Sequence, residues 1–307
     1  MASSSGRVTE TFETIEWIAT TDMGIGRDRA FERGTTFLTP AQSQDYKPAF
    51  SPDFTQIAFF RVFAYNTPAR FNEWDTRVAV MNADGSDVRF ISSLGANHVP
   101  KWTQDGSNRI VYSLNDATGG RIYWTTPASC PGQEELLSSF SGTGYEENGS
   151  ALKDGRILVQ RWDREKGHGL FAMTPGPGGK STYQPLVYAP TGVPEDVSAI
   201  SFNKITVSPS GERIAYMKMA TGKSYYTDSQ IACAEWDADR LTIHNEVIVA
   251  QPSDGPTWYP CFTPQEAFVV YAQNGRVMAC HLDSQETRQI SAGDHEYRYV
   301  NVAGVVK

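Results

Sequence analysis

His98 is one of five histidines in a chain of 307 residues. It stands two residues before Pro100, in the stretch HVPKWTQDGSNRIVYSL. Other groups able to do chemistry fall at matching offsets: Asp45 and Tyr46 ahead of Pro48, Glu146 and Glu147 ahead of Gly149, Trp258 ahead of Pro260. One imidazole with several carboxylates suits Ca²⁺ or Mn²⁺ better than Zn²⁺. His98, Glu146, Glu147 and Asp45 are therefore candidate ligands of a divalent cation. The same groups would serve equally as acid and base. Three cations make a second set: Arg61 follows IAFF, Arg161 follows ILVQ and Lys218 follows IAYM. Converging cations of this kind clamp a carboxylate or phosphate. Trp258 of the first set, with Trp162 and Tyr65 in the adjoining loops, would take the apolar faces of a sugar. The plainer alternatives are a hydrogen-bonded ring filling a channel mouth and a row of solvated strand ends.

These offsets belong to a repeat. PAFSPDFTQIAFF (48–60), PKWTQDGSNRIVY (100–112), GSALKDGRILV (149–159), ITVSPSGERIAY (205–216) and PCFTPQEAFVVY (260–271) are each a short strand, a polar turn and a second apolar strand. Each is followed by a further strand–turn–strand segment, such as RVAVMNADGSDVRFISS (77–93). The β-branched and aromatic enrichment and the Gly, Asp and Pro turns are strand signals. Four strands in roughly 50 residues is the period of a β-propeller blade. The expected fold is all-β, a single propeller domain over 1–307 with six four-stranded blades. Seven is the alternative count, should the long 190–250 unit conceal a second blade. The full units are 45–93, 94–140, 141–189, 190–250 and 251–293. The remaining blade combines 10–42 with 294–307, so strands from both ends of the chain close the ring. In that blade Tyr297 is aligned with Tyr46, His98, Glu147, Asn203 and Trp258.

Composition narrows the partners. The formal net charge is −8 and hydrophobic residues make up 40%, which supplies a core and argues against nucleic acid. The four cysteines form no C-x-x-C pair and read as free thiols in a reducing compartment. The start MASSSGRVTE has no apolar signal region and no stretch approaches membrane-spanning length, so a cytoplasmic location without membrane association is expected; a processed secreted form would look the same. GIGRDRAF (24–31) lacks the glycine spacing of a dinucleotide loop, NADGSD is a hairpin turn, and Walker A, G-x-S-x-G and H-E-x-x-H sequences are missing.

PAFSPDFTQIAFF followed by VAVMNADGSDVRFIS resembles the Pro-Asp repeat of TolB-type propellers. The likeness covers about four-fifths of the chain and weakens where Gly149 and Ile205 replace the proline. Such propellers include protein-binding scaffolds, peptidase gates and polysaccharide lyases, so two functions follow from the resemblance. The first is a lyase-like enzyme related to oligogalacturonate lyases, which abstracts the proton α to a uronate carboxylate. There Arg61, Arg161 and Lys218 would hold the carboxylate, His98 or Tyr46 would be the base, and Tyr297 the acid, with Glu147 beside them. The several metal-binding histidines of that family are missing. The second is a non-catalytic scaffold that binds a protein or peptide in its channel. The two differ in geometry: an enzyme brings His98, a carboxylate and Arg61 or Arg161 together around one cavity.

Overall fold

Strands such as QIAFFRVFAY (56–65) are apolar almost throughout, without the polar/apolar alternation of a half-solvated sheet. The reason is that both faces of each sheet are covered by neighbouring sheets. The computed structural model describes residues 9–305 apart from 42, 66–73, 94, 117–118, 139–143, 164–166, 193–194, 197–199, 221 and 225–226. Blade 1 contains β1 (Ile15–Thr21), β2 (Gly24–Arg29) and β3 (Thr36–Phe37). Blade 2 is β4 (Asp45–Phe50), β5 (Gln56–Tyr65), β6 (Trp74–Asn82) and β7 (Arg89–Phe90). Blade 3 is β8 (Ala96–Trp102), β9 (Ile110–Asp116), β10 (Gly119–Thr125) and β11 (Glu135–Leu136). Blade 4 is β12 (Gly144–Ala151), β13 (Ile157–Asp163), β14 (Gly167–Thr174) and β15 (Thr182–Pro185).

The next strand, β16 (Val187–Ala189), departs from the sequence division, which assigns 187–189 to the preceding unit. It pairs parallel to the outer strand of blade 5. That blade is β17 (Ile200–Val207), β18 (Arg213–Ala220), β19 (Gln230–Asp237) and β20 (Thr242–Ala250). Blade 6 is β21 (Thr257–Phe262), β22 (Phe268–Gln273), β23 (Arg276–His281) and β24 (Thr287–Gln289). Finally β25 (Arg298–Val305) returns to pair antiparallel with β1 and completes blade 1 from the other end of the chain. The result is a six-bladed propeller.

The core lies between blades. Alternate side chains of β5 serve different interfaces: Phe59 and Ile57 pack with Ile18 and Ile25 of blade 1, whereas Ala58, together with Val78 of β6, packs with Trp102 and Tyr112 of blade 3. Blade 6 meets blade 1 the same way, through Phe268, Val270, Trp17 and Val302. The buried Glu10 clasps this junction, accepting hydrogen bonds from Thr263 Oγ1 (2.5 Å) and the Gln265 backbone N–H (2.7 Å).

Two local devices shape the inner strands β4, β8, β12, β17, β21 and β25. Three of them, β4, β8 and β12, end in a tight turn held by a side chain two residues ahead of the amide it captures. Asp53 accepts from Thr55 N (3.1 Å), Asp105 from Ser107 N (3.0 Å) and Asp154 from Arg156 N (3.0 Å). This Asx geometry is why the repeat carries Asp here. The second device is a β-bulge in the pairing of every inner strand. In five of them the extra residue has positive φ without being glycine: Lys47 (55°), Val99 (50°), Lys204 (51°), Tyr259 (43°) and Tyr299 (53°). A left-handed conformation costs most side chains of order 1 kcal/mol or more. Its recurrence at one position marks a feature that the surrounding sheets enforce.

Candidate functional site

The first ring singled out from the sequence forms a collar just before the bulge. Tyr46 stacks on Phe60 (5.5 Å between centroids, 22°) and meets Tyr299 edge-on. Trp258 also meets Tyr299 edge-on at 5.7 Å. His98 is buried at 4% exposure, with its ring edge-to-face against Phe60 at 5.7 Å. The imidazole thus packs against the neighbouring blade. The Glu147 side chain lies outside the described residues, as do those of Tyr65 and Trp162.

The closing blade requires a correction of one residue. Thr20 pairs with Arg298 and Ile18 with Asn301, just as Phe60 pairs with Tyr46 and Ala58 with Ala49. Arg298, and not Tyr297, therefore occupies the His98 position, and its guanidinium lies over Trp258 at 6.0 Å. Tyr297 aligns with Asp45 instead. It is 1% exposed, its hydroxyl donates to Asp28 Oδ2 at 2.8 Å, and burial pushes its pKa up to about 12.

The cations of the second ring all have partners within the fold. Arg61 donates through Nε and Nη2 to Asp45 Oδ1 and Oδ2 at 2.6 and 2.8 Å, which raises the guanidinium pKa further. Arg161 lies 4.0 Å from Glu146 and over the rings of Tyr183 (5.3 Å) and Phe171 (5.8 Å). Lys218 donates to Glu246, which also accepts from Tyr188 and Tyr216. Glu146 is fully buried and accepts from Ser138 and Tyr183 through Oε2, while among the described residues Oε1 has no hydrogen-bond donor. Burial raises its pKa despite these neighbours.

The described residues do not support the metal expectation. Among the described residues no three His, Cys, Asp or Glu side chains are grouped to hold an ion. Asp45, His98 and Glu146 belong to three different blades, and each carboxylate is bonded to groups of its own surroundings.

A different set of residues converges below the bulge. The central channel holds a cavity of about 420 Å³, running from the bulged residues to the turns at Pro52, Lys153, Pro209 and Pro264. It therefore extends toward the opposite end of the channel from the collar. Lys47, Lys101, Lys153 and Lys204 all line it, and among its described lining residues there is no Asp or Glu. Apolar wall comes from Pro48, Pro100, Pro260, Phe50 and Trp102. Lys47 and Lys204 are 9% and 7% exposed. The Lys47 ammonium lies 5.0 Å from the Tyr259 ring centre and 5.3 Å from that of Tyr299, and Lys204 lies 5.1 Å from Tyr259. Aromatic faces stabilise such cations without neutralising them. Lys101 donates through Nζ to the backbone carbonyl of Ile205, from blade 3 to blade 5. Its burial, with Lys204 nearby, pulls its pKa down to about 7.

None of His98, Asp45, Arg61 or Arg161 is among the cavity's described lining residues. The residues that sequence reasoning missed, Lys47 and Lys204, stand one position beyond the ring it chose. Their signal is two lysines at one repeat position on inner strands of an acidic chain. Lys101 carried no such signal.

Comparison with known proteins supports this architecture. No family model and no curated protein sequence matches the chain. Solved structures do. The chain is similar to TolB from Acinetobacter baumannii, with 16% identity, a TM-score of 0.66, and coverage of 97% of this chain and 69% of that one. It is similar to the periplasmic gluconolactonase of Pseudomonas aeruginosa, with 13% identity, a TM-score of 0.54, and coverage of 95% and 99%. A puromycin hydrolase matches with 15% identity and a TM-score of 0.55 over 90% of this chain, which spans only 42% of that enzyme. The fold is TolB-like. At these identities the likeness is one of fold, shared by enzymes and a protein of the Tol type alike.

Proposed function

We propose that the protein is a propeller that binds a small organic acid, of sugar-acid size, in its central channel. The observation that carries this reading is the lining: four lysines, two tyrosines and no described carboxylate around about 420 Å³. That volume is in the range of small-molecule sites. Lysines cluster at a cost from mutual repulsion and desolvation, and an anion placed among them removes part of it. Lys47, Lys101 and Lys204 supply charge-assisted donors to a carboxylate. Tyr259, Tyr299 and the prolines supply the flat apolar surfaces on which a carbon skeleton rests.

This reading keeps the substrate class expected from the resemblance to uronate lyases and moves it to other residues. Thermal shift and calorimetry at low salt test it, with gluconate and galacturonate set against glucose and galactose. The acids should raise Tm, as any ligand of the native state does, and the neutral sugars should not. Equal response to acids and neutral sugars, or none to either, would overturn the proposal. Oligogalacturonate belongs in the same panel: growth of the unsaturated-uronate absorbance would extend binding to β-elimination.

A further inference from the structure

We infer that Lys101 is a carbonyl-capturing amine, which forms an imine with an oxo acid held by its carboxylate in the channel. The inference rests on the anion-binding reading above and adds a reacting atom to it. Three observations converge on this residue. Lys101 lines the cavity together with Lys47 and Lys204, so a carboxylate anchored by those two lies beside it. Its Nζ is tethered to the Ile205 carbonyl across the channel, which fixes the nitrogen through a neutral acceptor. Its described neighbours in the cavity include no carboxylate that would hold it as an ammonium. The ammonium is correspondingly destabilised, its pKa pulled down to about 7, so the free amine is far more populated at neutral pH than on an exposed lysine.

The chemistry balances without any further reagent. The Lys101 lone pair adds to the carbonyl carbon, and the carbonyl π electrons become an alkoxide that takes up a proton. The nitrogen gives up a proton, and the carbinolamine hydroxyl leaves as water once protonated. The neighbouring Lys204 ammonium, close enough to perturb Lys101, is an acid at hand for that step. A neutral amine still donates to Ile205 while its lone pair forms the new bond. Desolvation by apolar walls beside a second cation is a known means of activating a lysine for this reaction.

Reductive trapping tests the step. The full chain is incubated at pH 7 with glyoxylate and cyanoborohydride, and the carboxymethylated lysines are mapped by mass spectrometry. An exposed lysine has a pKa near 10.4 and holds less than about a thousandth of its population as amine at pH 7. Lys101 should therefore be labelled at least about tenfold faster than exposed lysines, a conservative bound on that ratio. Acetaldehyde, which lacks the carboxylate, should lose most of this selectivity. Lys101→Arg keeps the cation but has no amine that can form an imine, and should abolish the adduct at that position. Lys204→Met should slow trapping with the fold intact by Tm. Labelling spread evenly over surface lysines, or no adduct at Lys101, overturns the inference. Gluconate binding in the unmodified protein separates the two failures: binding without trapping sinks only the imine step, and no binding sinks the reading beneath it.

Discussion

Two sets of basic residues occupy the inner part of this propeller, and they differ in what answers them. Arg61, Arg161 and Lys218 each face a carboxylate supplied by their own blade: Asp45, Glu146 and Glu246. Lys47, Lys101 and Lys204 face aromatic rings, a backbone carbonyl and a cavity. A basic residue at a repeat position is thus no guide to ligand binding by itself. Charge met by a carboxylate of the same blade fixes that blade, whereas lysines grouped around a cavity repel one another, an energy that a bound anion relieves.

The comparison breaks most visibly at Asp45. Asp45→Asn leaves a half-buried guanidinium without its fork partner, and urea denaturation should register a loss of about 3 kcal/mol. By contrast Lys47→Met with Lys204→Met should leave stability unchanged or higher. The same double variant should weaken gluconate binding about 30-fold by calorimetry, or about 2 kcal/mol, in line with the loss of hydrogen bonds to charged groups. Equal destabilisation by both changes would erase the distinction between the sets.

Proton linkage sharpens it. A bound carboxylate favours the Lys101 ammonium, so binding takes up a proton when the unliganded group is neutral. Affinity should be full below pH 7 and fall as pH rises above it, approaching tenfold per unit until the liganded pKa is reached. Lys101→Arg should flatten that profile.

Glu146 gives a smaller effect of its own sign. Its raised pKa means the native state holds this proton more tightly than the unfolded chain does. Stability should therefore decline as pH rises from the ordinary carboxylate range through the folded value, and Glu146→Gln should remove that decline. Its net change at pH 7 should stay within about 1 kcal/mol, because the glutamine oxygen still accepts from Ser138 and Tyr183. Smallest of all, His98→Gln should lose the edge contact with Phe60, about 1 kcal/mol or less, and leave gluconate affinity untouched.

The blades were legible because their signals are local. Asp53, Asp105 and Asp154 hold the turns through contacts two residues away, and Ile57–Phe60 reads as a strand buried on both faces. The Arg61–Asp45 pair was half legible: both residues were noted, and antiparallel register places them opposite each other. The bulge was not legible, since Lys47, Val99 and Tyr259 adopt positive φ without a glycine to announce it. That hidden residue accounts for the one-position shift at Tyr297, where Val300 stands in place of the guiding proline. The Lys101 contact with Ile205 joins blades 3 and 5, a distance in sequence that no periodicity reports.

The pairing of β1 with β25 also sets a clock on the molecule. Ile15 and Val305 lie at opposite ends of the chain, yet they share a register. The entropy of bringing such distant strands together is paid before their contacts give anything back, so closure belongs late in folding and makes it slow. In reverse, the same seam governs how long the native ring lasts. With no covalent link there, release of β25 uncovers the edge of β1 and the apolar surface of Trp17 and Val302. Loss of that one strand is the expected first step of unfolding, and the lifetime of the folded protein should follow its rate.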